Sequence, residues 1–291
     1  MWRLIVCVAA VGLVACVSSC TFGPTVTSST KQRLPQPGIG MPPLEPMQLS
    51  SEESAPQPSA ELQAILDKSV AEVVQAYGGV AEVSIVGAIG EYGAGDAGGF
   101  AAWSTIKVPI AIAALKTNPG LAQQAALAIQ TSDNPAAMTL WNSTTPEAVE
   151  EVLAQGGAPI TVQRQYIRPE FSPFGQTKWT VAEQARFASH LRCVDGAGPV
   201  LELMGSITAG QSYGLGTFPA ARFKGGWGPS ALNGGYEVRQ FGLVQDKEGR
   251  DVAIALAVRS GDGSYASGQT MASQLAALIR PALNTAPAAH C

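Results

Sequence analysis

Apolar residues at Leu62, Ile65, Leu66, Val70, Val73 and Val74 recur at three- and four-residue spacing, and Gly78-Gly79 ends the run, which predicts a helix after Ser59. Residues 80–93 change to an alternation rich in Val and Ile, with Gly and Asp beyond it, which predicts two strands or a bent hairpin. An apolar run with small residues then opens onto Ser104 and predicts a central helix from that position, with a shorter helix over 121–130. Ser132-Asp133-Asn134-Pro135 suits a helix start, because the side chains can cap and the proline fits the first turn. Thr144-Thr145-Pro146-Glu147 and Thr180-Val181-Ala182-Glu183 both have capping-box spacing ahead of apolar-periodic runs.

Between those two helices, residues 156–179 mix Gly, Pro, Arg, Tyr and Trp without a period, the mark of a functional loop or an Ω-loop. After a short helix around 199–205 the pattern turns to period two at 220–227, 236–246 and 251–259. The last two of these are joined by Asp246-Lys247-Glu248-Gly249-Arg250, and an amphipathic helix near 267–280 follows. Helix, strands, helical insert, strands and helix in that order predict an α+β fold. Hairpin-length links make its sheet antiparallel and leave the terminal helices free to cover one face.

The first residues read differently. Arg3 is followed by an apolar run from Leu4 to Ala15, too short to span a bilayer and suited to a signal peptide. Leu13-Val14-Ala15-Cys16 and Val17-Ser18-Ser19-Cys20 both resemble the bacterial lipobox, at which a signal is cleaved and the cysteine acylated. Lipidation is expected at Cys20 or Cys16, with 1–20 as the signal, so the chain is expected to be exported and lipid-anchored outside the cell membrane. From Thr21 to Pro58 eight of 38 residues are proline, and nothing repeats with helix or strand period. That stretch reads as a tether with a coil span of roughly 30–40 Å. Processing at Cys20 leaves Cys193 and Cys291 to pair in an oxidising compartment.

At 291 residues, 46% apolar and 14% charged, the chain can bury one substantial core, and a net charge of −4 supplies no electrostatic reason to bind nucleic acid. No cofactor or metal is expected, and a single copy is.

Ser104 and Lys107 stand one helical turn apart, which puts them on one face within reach of a hydroxyl-to-amine hydrogen bond. A serine is a nucleophile only when a base takes its proton, and a lysine among apolar groups loses its charge more readily. The same S-x-x-K spacing at Ser28 and Lys31 has no apolar context. Ser132-Asp133-Asn134 alone is a helix cap, and Lys247-Glu248-Gly249 is turn chemistry.

Ser104-x-x-Lys107, then Ser132-Asp133-Asn134, then Lys224-Gly225-Gly226 on a predicted strand together resemble the penicillin-recognising serine enzymes, namely class A β-lactamases and D,D-peptidases. The resemblance also takes in the segment from Ser143 to Gly157, the strand Val238-Arg239-Gln240-Phe241-Gly242-Leu243 and the last helix. It implies a β-lactamase-like domain over 59–285, with α/β parts at 59–103 and 216–285 around a shortened helical insert at 104–215. Ser104 would be acylated and Lys107 would be its base. Ser132 would pass a proton to the leaving amine, Asn134 would hold Lys107 and a substrate amide, and Lys224 would supply positive potential. Gly226 and Trp227 would shape the oxyanion site, with the N–H groups of Ser104 and Trp227 as its donors. A β-lactam or a peptidoglycan-like peptide would be the ligand.

Three positions depart from the family pattern. Only 28 positions separate Ser104 from Ser132, Gly225 replaces a hydroxyl residue, and Arg168-Pro169-Glu170-Phe171-Ser172 stands where class A enzymes read E-P-E-L-N. An arginine thus replaces the carboxylate that activates water, its charge is expected to act on Lys107, and Glu170 is a candidate displaced base. The alternative to a serine hydrolase is a non-catalytic module of the same fold that binds a cell-wall component or a protein.

Overall fold

The computed structural model describes residues 60–231 and 234–291. The lipobox cysteines Cys16 and Cys20, the signal segment and the tether up to Pro58 lie outside the described residues.

The first helix, α1, covers Ala60–Tyr77. It is followed by the hairpin β1 (Val80–Gly87) and β2 (Gly90–Gly95), then by the helices α2 (Lys107–Thr117), α3 (Ala122–Gln130), α4 (Asn134–Asn142), α5 (Pro146–Gln155), α6 (Val181–His190) and α7 (Gly198–Met204). Strands β3 (Arg222–Pro229), β4 (Tyr236–Gln245) and β5 (Asp251–Arg259) precede α8 (Tyr265–Ile279). The five strands form one sheet in the order β2-β1-β5-β4-β3, antiparallel throughout, as the hairpin-length links predicted.

β5 shows how the two faces are divided. Val252, Ile254, Leu256 and Val258 join the apolar cluster of α1 and α8, with Leu62, Leu66, Met271 and Leu275. Ala253, Ala255 and Ala257 point the other way, into the cluster that includes Phe187 and Ala188 of α6 and Phe241 of β4. A strand buried on both faces loses the polar-apolar alternation of a half-exposed one. Here an alternation of size replaces it. Burying each large aliphatic side chain contributes about 1.5–3 kcal/mol, so the terminal-helix face carries much of the stability.

Two local expectations change. The helix predicted from Ser104 begins as a 3-10 turn over Trp103–Ile106, and the α-helix starts at Lys107. The cap of α5 is Thr145, whose side chain accepts the Ala148 N–H, so the box expected from Thr144 to Glu147 does not form. Pro146 takes the first helical position, which needs no N–H and fixes the cap at the residue before it. Thr180 and Glu183 do form a capping box.

Residues 156–179 hold only a 3-10 turn at Phe174–Gln176 and one bridge between Ala101 and Lys178. The helical insert passes back to the sheet through a turn at Gly214–Thr217, whose Leu215 packs with the terminal helices. Cys193 and Cys291 form the expected disulfide, with Cα atoms 5.8 Å apart. It ties the end of α6 to the last residue, and Ala289 N–H donates to the Asp251 carbonyl at 2.7 Å beside it.

Candidate active site

Trp103 precedes the nucleophile candidate in a left-handed backbone conformation, φ 49°. Such a conformation costs roughly 1–3 kcal/mol for a non-glycine residue and persists where surroundings over-determine it. They do so here. The indole Nε1 donates to Glu237 Oε2 at 2.9 Å, and the ring meets the edge of Phe171 at 5.2 Å between centroids. A methyl group on Gly228 would lie 2.4 Å from the same ring, so the glycine is what lets the indole lie on β3.

The backbone on either side of Ser104 is held from inside. Arg239, fully buried, donates from Nη1 to the carbonyls of Phe100 and Ala101 at 2.8 and 2.9 Å and from Nη2 to Trp179 O at 2.6 Å. Its Nε donates to Gln184 Oε1, and Gln184 Nε2 donates to Thr105 Oγ1 at 2.7 Å. Burial lowers the guanidinium to about 10, against the pull of Glu237, Glu82 and Glu183, so it stays charged at neutral pH. β3 closes on the turn at Gly226, where a Cβ would sit 2.9 Å from the Ser104 nitrogen and 3.0 Å from the Ala102 oxygen. The backbone beside Trp227 can approach the Ser104 amide because Gly226 has no side chain.

Lys107 donates to the carbonyls of Ser132 and Asp133 at 2.6 and 3.3 Å and to Asn134 Oδ1 at 2.7 Å. Burial lowers its amine to about 7, and the Asp133 carboxylate works in the opposite direction. Asp133 itself caps α4 by accepting the Ala136 N–H at 2.7 Å. Lys224, fully buried on β3, donates to Ser132 Oγ at 3.0 Å and to the Gly225 carbonyl at 2.7 Å. Its amine is held well below the ordinary lysine value by burial and then by the charge of Lys107. Ser132, between the two, is left-handed with φ 60°.

The structure therefore brings Ser104, Lys107, Ser132, Asn134, Lys224, Gly226 and Trp227 together at one place. One expected contact is not made. Among the described residues the Ser104 hydroxyl has no hydrogen bond, because the three donors of Lys107 are taken by acceptors at the start of α4.

Ser104, Lys107 and Asn134 lie at the floor of a cleft of about 370 Å³, with Glu170, Phe171 and Ser172 on one wall and Trp227, Gly228, Pro229 and Tyr236 on the other. Glu170, the candidate displaced base, faces this cleft. Arg168 does not act on Lys107 as expected. Its Nη1 donates to Pro229 O at 2.6 Å, its Nε to Glu170 Oε1 at 3.3 Å, and its guanidinium lies 4.5 Å above the Phe171 ring. The loop that carries it is stapled by the buried Gln176, which accepts the Arg168 N–H and donates to the carbonyls of Arg168 and Phe171. At Gly225 a Cβ would have its nearest neighbour at 3.8 Å, so nothing in the packing demands the missing hydroxyl residue's replacement by glycine. Among the described residues no group of three or more His, Cys, Asp or Glu side chains could hold a metal ion.

Arg239, Gln184, Gln176 and the strained Trp103 escape a reading of motifs.

The fold built around this cleft is the β-lactamase fold, α+β as predicted. A class A β-lactamase from Bacteroides cellulosilyticus matches with a TM-score of 0.63 at 13% identity, over 77% of this chain and 99% of that one. A β-lactamase from Streptosporangium roseum matches at 0.60 and 16%, over 76% and 99%. A variant of the last common ancestor of Gram-negative class A β-lactamases matches at 0.60 and 18%, over 78% and 100%. No family model matches the sequence, and no curated protein does.

Proposed function

We propose that this chain is a serine acyl-transfer enzyme of the penicillin-recognising type, acylated at Ser104 by a β-lactam or a peptidoglycan-like peptide. The observation that carries the reading is Lys107. A buried amine brought to about 7 shares a cleft with a serine at a helix start, so its neutral form is accessible at physiological pH.

Neutral Lys107 takes the Ser104 proton as Oγ attacks the ligand carbonyl, and the amides of Ser104 and Trp227 face the oxyanion. On collapse the carbon–nitrogen bond breaks. Ser132 gives its proton to the leaving amine and regains one from the protonated Lys107, while Lys224 holds the Ser132 hydroxyl in place. Asn134 fixes the base through its amide oxygen. Export and lipid anchoring at Cys20 or Cys16 are part of the same proposal, supported by the lipobox spacing and by a disulfide suited to an oxidising compartment.

A fluorescent penicillin should label the wild type, fail to label Ser104→Ala and label Lys107→Ala weakly. Unlabelled wild type at high probe concentration would favour the second reading, a binding module. That reading draws on Gly225 and on Arg168 standing where the resemblance expects a carboxylate.

A further inference from the structure

The cleft has an inner and an outer end along β3, and the outer end is strapped. β3 runs from Lys224, beside Ser132, past Gly226, against the Ser104 amide, to Pro229, whose carbonyl Arg168 holds. β3 is the last strand of the sheet and has a partner on one side only. Its free edge is where an extended ligand backbone can pair. With the leaving amine directed to Ser132, the acyl substituent of a ligand on Ser104 extends the other way, toward Pro229.

We propose that Arg168 is a specificity-determining residue that ends this edge and limits the length of the acyl arm. The proposal rests on the acylation reading above. One contact crosses the opening, the hydrogen bond to Pro229 O, and the ion pair with Glu170 and the stacking on Phe171, which in turn leans on Trp103, hold the guanidinium in place on its own loop. The Pro229 bond joins the 156–179 loop on one wall to β3 on the other. Three residues of strand separate Gly226 from Pro229, about 10 Å at ~3.3 Å per residue. An acyl arm of one or two residues' length fits within that distance. A longer one meets the guanidinium and finds the Pro229 acceptor already used. The ligand class is therefore a short-armed acyl donor, a β-lactam or peptide with a compact group before the reacting carbonyl.

The test is acylation by two penicillins with one nucleus, one bearing a phenylacetamido arm and the other an extended aryl-acylureido arm, followed by intact-protein mass spectrometry. Wild type should react with the short-armed probe about tenfold faster or more, and Arg168→Ala should bring the two rates within about threefold, a discrimination typical of a size-limited pocket. A ratio unchanged by Arg168→Ala overturns the proposal. If neither probe acylates the wild type, the acylation reading fails, and the strap is decided in the free protein by amide hydrogen exchange. Arg168→Ala must then speed exchange in residues 166–176 while α1 and α8 keep their protection, and unaltered exchange in the loop overturns it.

Discussion

Lys107 and Lys224 meet on one residue: the first donates to the Ser132 carbonyl at 2.6 Å and the second to the Ser132 hydroxyl at 3.0 Å. Burial and then the charge of Lys107 hold the Lys224 amine well below its ordinary value, so the protonation of one lysine bears on the other at the Ser132 side chain.

Acylation should depend on pH through this pair. Lys107 must be neutral to accept a proton, so the rate should rise through an apparent value near 7 and then level. Asp133 is the one charge that raises the Lys107 value, so Asp133→Asn should move the acidic limb to lower pH. A stopped-flow or mass-spectrometric pH profile measures both; a limb that moves to higher pH in Asp133→Asn contradicts the arrangement.

The same amine makes stability depend on pH. Lys107 titrates near 7 when folded and near 10.4 when unfolded, so between those values the unfolded chain binds more protons and folding is favoured as pH rises. Wild type should gain on Lys107→Met between pH 7 and 10 by up to about 4 kcal/mol. Parallel denaturant titrations of the two proteins across that range give the difference directly.

The glycines of β3 should respond unequally. Gly226→Ala forces a Cβ against the Ser104 amide and Gly228→Ala drives one into the Trp103 ring, and overpacking of this kind costs about 1–3 kcal/mol. Gly226→Ala should also lose most of its acylation. Gly225→Ser has space and should leave the melting temperature nearly unchanged.

A penicilloyl adduct should be long-lived. A water-activating base contributes about 10²–10⁴-fold to rate. Glu170, the carboxylate that lines the cleft, is 57% exposed and spends an oxygen on Arg168. Glu170→Gln is therefore expected to change the adduct lifetime less than about threefold, well short of a base's share. Fast wild-type turnover abolished by Glu170→Gln would instead make Glu170 the displaced base.

Reducing the disulfide releases a closure of 98 residues. In the chain-entropy account such a loop is worth about 4–5 kcal/mol, so the midpoint of thermal unfolding should fall by on the order of 10 °C. Calorimetry with and without reductant, and on Cys291→Ser, provides the comparison.

Much of this molecule can be read along the chain. Helix period, capping residues and period-two strands place the elements, and the order of three short motifs places the cleft. What escapes is contact between distant residues. Nothing near Trp103 in sequence announces its bond to Glu237, 134 positions away, and Arg168 reads as a charge bound for Lys107 until β3 offers it a carbonyl. The box at Thr144 fails for a local reason, because Pro146 selects its own cap.

The alanines of β5 have a mechanical consequence. Ala253, Ala255 and Ala257 leave only methyl groups between β5 and α6, so they set the stand-off of that helix over this strand like shims under a bearing. α6 carries Gln184, which reaches Thr105, the residue after Ser104. Thickening a shim by two methyl groups, as in Ala255→Val, would lift the helix and with it the tether on the reacting serine. The position of Ser104 is thus machined into a surface of β5 that does not line the cleft.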